Sequence, residues 1–201
     1  MNSPIENYVT FSLMGIICAV SLLAFNNKRV FQSLILHPVS VIHKKEYYRI
    51  LSSALVHNNM LHLGLNLLML YVFCSGLEES ASGPGRLGLL IIMGASLLAG
   101  HLLSVIAHRR DIAYSGAGAS GIAIGCMCSY FIFHPLKSHV SIPLIDSIPN
   151  VYAAAGYLAL MLLYSRKNNG GKIDYSVHVG GGIGGAAVSL LLQPFLLTNV
   201  F

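Results

Sequence analysis

Apolar runs long enough to cross a bilayer recur along the whole chain, and no other feature restricts its fold as much. A stretch near ~20 residues spans the hydrocarbon, where backbone N–H and C=O groups must find partners within the protein. Six runs read as helices: residues 9–25, 60–76, 87–107, 114–133, 151–164 and 175–197, the second and fifth being short. Composition agrees, since 55% of the 201 residues are hydrophobic and 9% charged, against about 25% charged in a soluble domain. The expected fold class is all-α: a polytopic membrane protein with six transmembrane helices, residues 1–201 forming one domain.

Residues 26–59, between the first two runs, are too polar to cross and too apolar for a free linker, so they are expected to fold in the membrane interface as a first loop. The other connections are short and rich in turn formers: Ser82-Gly83-Pro84-Gly85, His134-Pro135 with Pro143 and Pro149, and Asn168-Asn169-Gly170-Gly171. No basic segment or Ala-x-Ala site accompanies the first run, which is expected to be a retained helix. Cys18, Cys74, Cys126 and Cys128 all fall inside runs, which points to apolar packing and away from a disulfide framework.

Polar side chains at membrane depth carry the functional information, because burying them in hydrocarbon is costly unless they are paired or used. Every Asp, Glu, Lys and Arg sits in a loop or at the end of a run. What remains is His62 and Asn66 in the second run, His101 in the third, Ser120 in the fourth and His178 in the sixth. His101 reads as a packing residue. With six spans, the second, fourth and sixth enter from the same side, so His62, Asn66, Ser120 and His178, the third to seventh residues of their runs, share one face at a depth of roughly 4 to 10 Å.

His62 and Asn66 are spaced i, i+4 and project from one side of their helix. Gly181 and Gly185, with Gly180, Gly182 and Gly184, give the sixth helix a surface almost without side chains, which lets another backbone approach. If the partner is the Gly116/Gly118/Gly121/Gly125 face of the fourth helix, His178 comes within hydrogen-bond reach of Ser120. A serine hydroxyl becomes a nucleophile at neutral pH only when such a base takes its proton. His62 and Asn66 are then placed to donate to an oxyanion, near the positive end of the Ser120 helix.

These residues resemble the motifs of the rhomboid family of intramembrane serine proteases. Gly118-Ala119-Ser120-Gly121 is similar to GxSG; His178, Gly181 and Gly185 to HxxGxxxG; and His57, His62 and Asn66 to HxxxxHxxxN, the likeness running from about residue 48 to the end of the sixth run. The resemblance implies a rhomboid-like bundle in which Ser120 is nucleophile, His178 general base, and His62, Asn66 and the Ser120 N–H the oxyanion hole. By the same resemblance His57 shapes the cavity, Tyr48-Arg49 stands for the Trp-Arg pair of the first loop, and Glu79 for an acidic residue that braces that loop. Two positions depart from the pattern. The chain has no Trp, and Ile124 occupies a position often held by an aromatic residue stacked on the catalytic histidine. Asp111, Asp146 and Asp174 lie in loops or at helix ends, so no carboxylate is expected to orient His178 and the pair reads as a dyad.

Other mechanisms lack their residues. Glu6, Glu46, Glu78 and Glu79 supply no His-Glu-x-x-His zinc site, paired carboxylates within runs are absent, and Ile122 breaks the Gly-x-Ser-x-Gly elbow of soluble hydrolases. A transporter or channel would want intramembrane charge. The rival of a different class is a catalytically inactive rhomboid-like protein that binds client helices, and the presence of both Ser120 and His178 argues against it. The expected partners are transmembrane protein substrates and the lipid bilayer, with no nucleic acid, metal or organic cofactor; oligomeric state stays open. The resemblance implies a multi-pass protein of the bacterial cytoplasmic (inner) membrane with the site facing out. Basic residues point the other way, since the site side carries Lys28, Arg29, Lys44, Lys45, Arg49, Arg109, Arg110, Arg166, Lys167 and Lys172 against Arg86 and Lys137 opposite. Five of these belong to the first loop, where lipid headgroups can bind them, and the family orientation is preferred.

Overall fold

The computed structural model describes residues 7–80, 83–135, 138–142, 145–167 and 174–193. The turn at 168–171, Ser82, Lys137, Pro143 and the sixth run beyond Gln193 lie outside the described residues. Four helices are long and apolar enough to cross a membrane: α1 (Tyr8–Asn26), α5 (Met60–Glu79), α6 (Gly85–Ala107) and α9 (Tyr175–Leu192). Between α1 and α5 the first loop folds into α2 (Lys28–Leu34), α3 (Pro38–His43), α4 (Arg49–Ser52) and a 3₁₀ turn at Ser53–Leu55. After α6 come α7 (Ser120–Phe133), a hairpin of β1 (Ser138–Ile142) and β2 (Ile145–Pro149), and α8 (Asn150–Lys167). The chain is a nearly all-helical, multi-pass membrane protein. The antiparallel hairpin, in a connection read from sequence as turns, is its one departure from helix-only elements among the described residues.

Of the six expected spans, two of them read as short, four match these helices and the other two fall on the lesser helices α7 and α8. α7 has 14 residues and α8, carrying Arg166 and Lys167 in its last turn, is less apolar than the others. The second helix, expected to be short, continues to Glu79 for 20 residues. The fourth is the larger correction: residues 114–119 are not helical. Gly116 pairs with Leu36 through two backbone hydrogen bonds of 2.8 and 3.0 Å. Gly118 takes φ +125° and donates its N–H to the Ser53 carbonyl at 2.9 Å. That dihedral is open to glycine and closed to a helix, so α7 begins at Ser120 instead of six residues earlier.

At 1.5 Å per residue α7 is about 21 Å long, short of a ~30 Å hydrocarbon core. Its surroundings make this tolerable, since 11 of its 14 residues are buried against neighbouring helices. By contrast α1 fully buries only Thr10, Ile17, Ser21 and Ala24, one narrow stripe flanked by half-buried residues such as Leu13 and Met14. The bundle is therefore built around α7.

α9 makes its largest interfaces with α6 and α7, and two glycine pairs one residue out of phase account for both. Gly180 and Gly184 lie against the α6 backbone at Ala99–Gly100 and Ala95, while Gly181 and Gly185 lie against the α7 backbone at Gly121 and Gly125. A methyl group at 185 would meet Gly125 Cα at 2.8 Å, a contact with backbone that cannot rotate away. Of the expected partner face, Gly121 and Gly125 serve; Gly116 and Gly118 precede the helix and meet the first loop and His62 instead.

Gly185→Val should therefore destabilise the protein by several kcal/mol, on the scale of core overpacking or more, and lower its melting temperature in detergent. Gly15→Ala, where nothing lies within 4 Å, should be neutral or gain up to about 1 kcal/mol. Equal melting temperatures for the two variants would contradict this account of the α7–α9 contact.

Candidate active site

Ser120 is the first residue of α7 and His178 the fourth of α9. The glycine contacts bring their helices together at this end, and Ser120 Oγ lies 2.9 Å from His178 Nε2. Neither residue is fully buried. With the hydroxyl donating to Nε2, the imidazole proton belongs on Nδ1, and Nδ1 is buried with no hydrogen-bond partner among the described residues. No carboxylate among the described residues touches it. The arrangement is a hydroxyl and a base without a third member.

Being at the start of a helix, the Ser120 N–H has no acceptor within α7. Beside it lies the Gly118 backbone, at φ +125°, with the His62 ring over it. A Cβ at Gly118 would be 2.7 Å from His62 Cε1 and 2.9 Å from Nε2, so any side chain at 118 would displace that imidazole. His62 is the third residue of α5, which places the start of α7 about one turn inside the neighbouring helices. Asn66 is buried and its Nδ2 donates to the His62 carbonyl at 2.8 Å, leaving one of its two amide hydrogens for a ligand.

His57 is fully buried beneath these residues, its ring 5.0 Å from that of His62 in an edge contact. Its Nε2 accepts from the Ala119 N–H at 3.3 Å, so Nδ1 carries the proton and donates to Ser21 Oγ at 2.9 Å. Ser21 in turn donates to the Leu55 carbonyl at 2.9 Å. One neutral imidazole thus fastens the peptide before Ser120 to α1 and to the first loop.

The remaining predicted residues stand farther out. Arg49 is buried, and its guanidinium donates to the carbonyls of Gln32, Ser33 and Ile35 at 2.9 to 3.0 Å and to Glu46 at 2.5 Å, closing the first loop on itself. Tyr48 lies outside, its ring 5.3 Å from the Arg49 guanidinium carbon. Glu79 accepts from Asn7 at the start of α1, not from the first loop. The adjacent Glu78 caps α1 through Val9 N–H, Thr10 N–H and the Thr10 hydroxyl. Ile124 packs with Met127, Cys128 and Phe131 against Tyr157 and Leu158. The ring edge-on to His178 is that of Tyr175, 6.3 Å away. All four cysteines are free.

Sequence reasoning missed Ser21, Tyr114 and the part played by Asp174, whose carboxylate caps α9 through the N–H groups of Ser176 and Val177 at 2.9 and 3.3 Å. The signal for Asp174 was available as an acidic residue immediately before a helix. Ser21 and Tyr114 meet their partners only through tertiary contacts.

The rhomboid-domain family model matches residues 44–195. Rhomboid-related protein 2 of mouse is 32% identical over 151 residues, which cover 72% of this chain and 48% of the relative. The chain belongs to the rhomboid family, and it spans about half the length of that curated relative. The relative is a mouse protein, so the expected bacterial inner membrane draws no support from it.

The His57 geometry has a pH signature. Burial is the main cause that lowers its pKa from the ordinary 6.5 to about 4, with His62 adding to it, and protonation would end its acceptance from Ala119. The unfolded chain then binds the extra proton between pH 6.5 and 4, so stability is present above that window and is lost as pH falls through it, by at most about 3 kcal/mol. Melting in detergent should show this slope in the wild type and lose most of it in His57→Gln; an unchanged slope in the variant would refute the assignment.

Proposed function

We propose that this protein is an intramembrane serine endopeptidase, the observation that carries the reading being the 2.9 Å contact between Ser120 Oγ and His178 Nε2. In this reading α7 and α8 complete a bundle of six spans. As Ser120 Oγ bonds to the scissile carbonyl carbon, its proton passes to Nε2 and the carbonyl π pair moves to oxygen. The Ser120 N–H, His62 and the second amide hydrogen of Asn66 stabilise that oxyanion. His178 then returns the proton to the leaving amine, and water repeats the sequence to free the acyl group.

The substrates are other membrane proteins. A peptide carbonyl inside an intact helix is already hydrogen-bonded and covered, so the cleaved segment must unwind, and small or helix-breaking residues near the scissile bond favour this. Entry from the lipid runs between α5 and α8. Both rest on α7, through Met69 and Phe73 on one side and Tyr157 and Leu158 on the other, and α5 has an exposed stripe of Leu61, Leu65, Leu68 and Val72 beside the site. The site faces away from the cytoplasm, the basic first loop resting on lipid headgroups.

Ser120→Ala and His178→Ala should each abolish cleavage of a model transmembrane substrate, and labelling by a fluorophosphonate should be lost with Ser120. Asn66→Ala should retain a fraction, since one oxyanion donor is worth about 10² to 10³ in rate and others remain. Full activity in either dyad variant, or wild-type protein that neither labels nor cleaves, would favour a client-binding role without catalysis.

A further inference from the structure

In the proposed mechanism His178 carries a positive charge in the transition state, yet its Nδ1 has no acceptor among the described residues. The described carboxylates are mostly remote or engaged elsewhere. Glu78 and Glu79 serve the start of α1, Glu46 pairs with Arg49, and Asp111 is exposed and caps its own turn at Ala113. Asp174 is engaged too, but as the N-cap of α9 it stands at the start of the helix that carries His178, four residues before it.

Four donors converge on that carboxylate. Oδ1 accepts from the N–H groups of Ser176 and Val177; Oδ2 accepts from the Ser104 hydroxyl at 2.5 Å and from the Tyr114 hydroxyl. His108 Nε2 lies 3.8 Å from Oδ1, and the His108 ring stacks on Tyr114 at 3.7 Å and 5°. Burial first, and the Asp174 charge second, push the Tyr114 phenol pKa upward, which keeps it a donor. Its carbonyl is held from the other side by His37 Nδ1 at 3.1 Å. Tyr114 lies six residues before the serine, so this one carboxylate ties the segment that delivers Ser120 to the helix that delivers His178.

We propose that Asp174 is a positioning residue for the Ser120–His178 pair, its fixed negative charge favouring the imidazolium that forms when His178 takes the serine proton, and its bond to Tyr114 holding the two limbs of the site in register. The inference rests on the dyad reading above. A carboxylate needed only as a cap is replaceable by Asn or Ser, which cap nearly as well; one needed for its charge is not.

Asp174→Asn and Asp174→Ser should therefore keep the melting temperature within a few degrees and leave KM for a model transmembrane substrate unchanged. Their kcat and the rate of fluorophosphonate labelling should fall about 10- to 100-fold, the scale of one charge acting over a helical turn at an effective dielectric near 20. Tyr114→Phe should cost a few-fold and add little in the double variant with Asp174→Asn, because both changes break one link. Wild-type kcat in Asp174→Asn, or a loss confined to KM or to stability, overturns the proposal while the dyad stands. Absence of labelling in the wild type overturns the dyad reading first and this inference with it.

Discussion

Everything at this site follows from how closely α9 approaches α7. Ordinary helix pairs sit 8 to 10 Å apart because side chains fill the space between them, and at that separation the serine and histidine of two neighbouring helices are held apart by their own neighbours. Gly181 against Gly121 and Gly185 against Gly125 remove that spacer, and the same approach turns His178 onto Ser120. In a membrane such contact has a further use. Lipid tails are as apolar as leucine, so helices associate through packing and hydrogen bonds more than through the hydrophobic effect, and backbone against backbone gives dense packing at no cost in side-chain entropy.

Close packing explains the pairing but not the access, which comes from where α7 stops. A helix continued back to Tyr114 would bury Ser120 in a wall of backbone with its N–H spent on a carbonyl four residues earlier. Breaking the helix leaves polar groups to satisfy at membrane depth, and the first loop meets that demand through Leu36 for Gly116, Ser53 for Gly118 and His57 for Ala119. The loop between α1 and α5 is thus part of the site's scaffold. Its own fold depends on Arg49, whose Nη1 gathers three carbonyls while Nε holds Glu46, two points of attachment on one planar group that the point charge of a lysine does not offer.

The hydropathy of the chain was enough to read four of the helices and the broad architecture, because a bilayer demands long uninterrupted apolar runs. It misread the start of α7, since Tyr114–Ala119 carries no charge and runs straight into an apolar stretch, while its break is set by tertiary partners. The β1–β2 hairpin escaped for a similar reason, turn formers there marking a connection without its pairing. At the site, Ser120, His178, His62 and Asn66 were legible because polar residues in apolar runs are rare. Arg49 was read through a motif, and the structure gives the physical reason in its carbonyl ligands. Glu79 is the counter-example: its neighbour in space is Asn7, ahead of α1, a relation that no spacing along the chain encodes.

The two histidines near Ser120 divide their work by environment. His57 has both nitrogens engaged, one accepting from a peptide N–H and one donating to Ser21, so its neutral form is locked and it acts as a fixed strut. His178 has one nitrogen accepting from the serine hydroxyl and the other without a hydrogen-bond partner among the described residues, so the Ser120 contact alone favours its neutral form. In the proposed mechanism the base gains and returns a proton within each turnover, and it has no second hydrogen bond to break as it does so. A carboxylate bonded directly to Nδ1 would fix the imidazolium more strongly but would also have to be desolvated beside it. Asp174 stands one turn off, its desolvation offset by two backbone N–H groups and two hydroxyls. In the proposed mechanism the charge is thereby held in place by groups that take no part in the proton transfer, and its attraction for His178 grows only as the positive charge does.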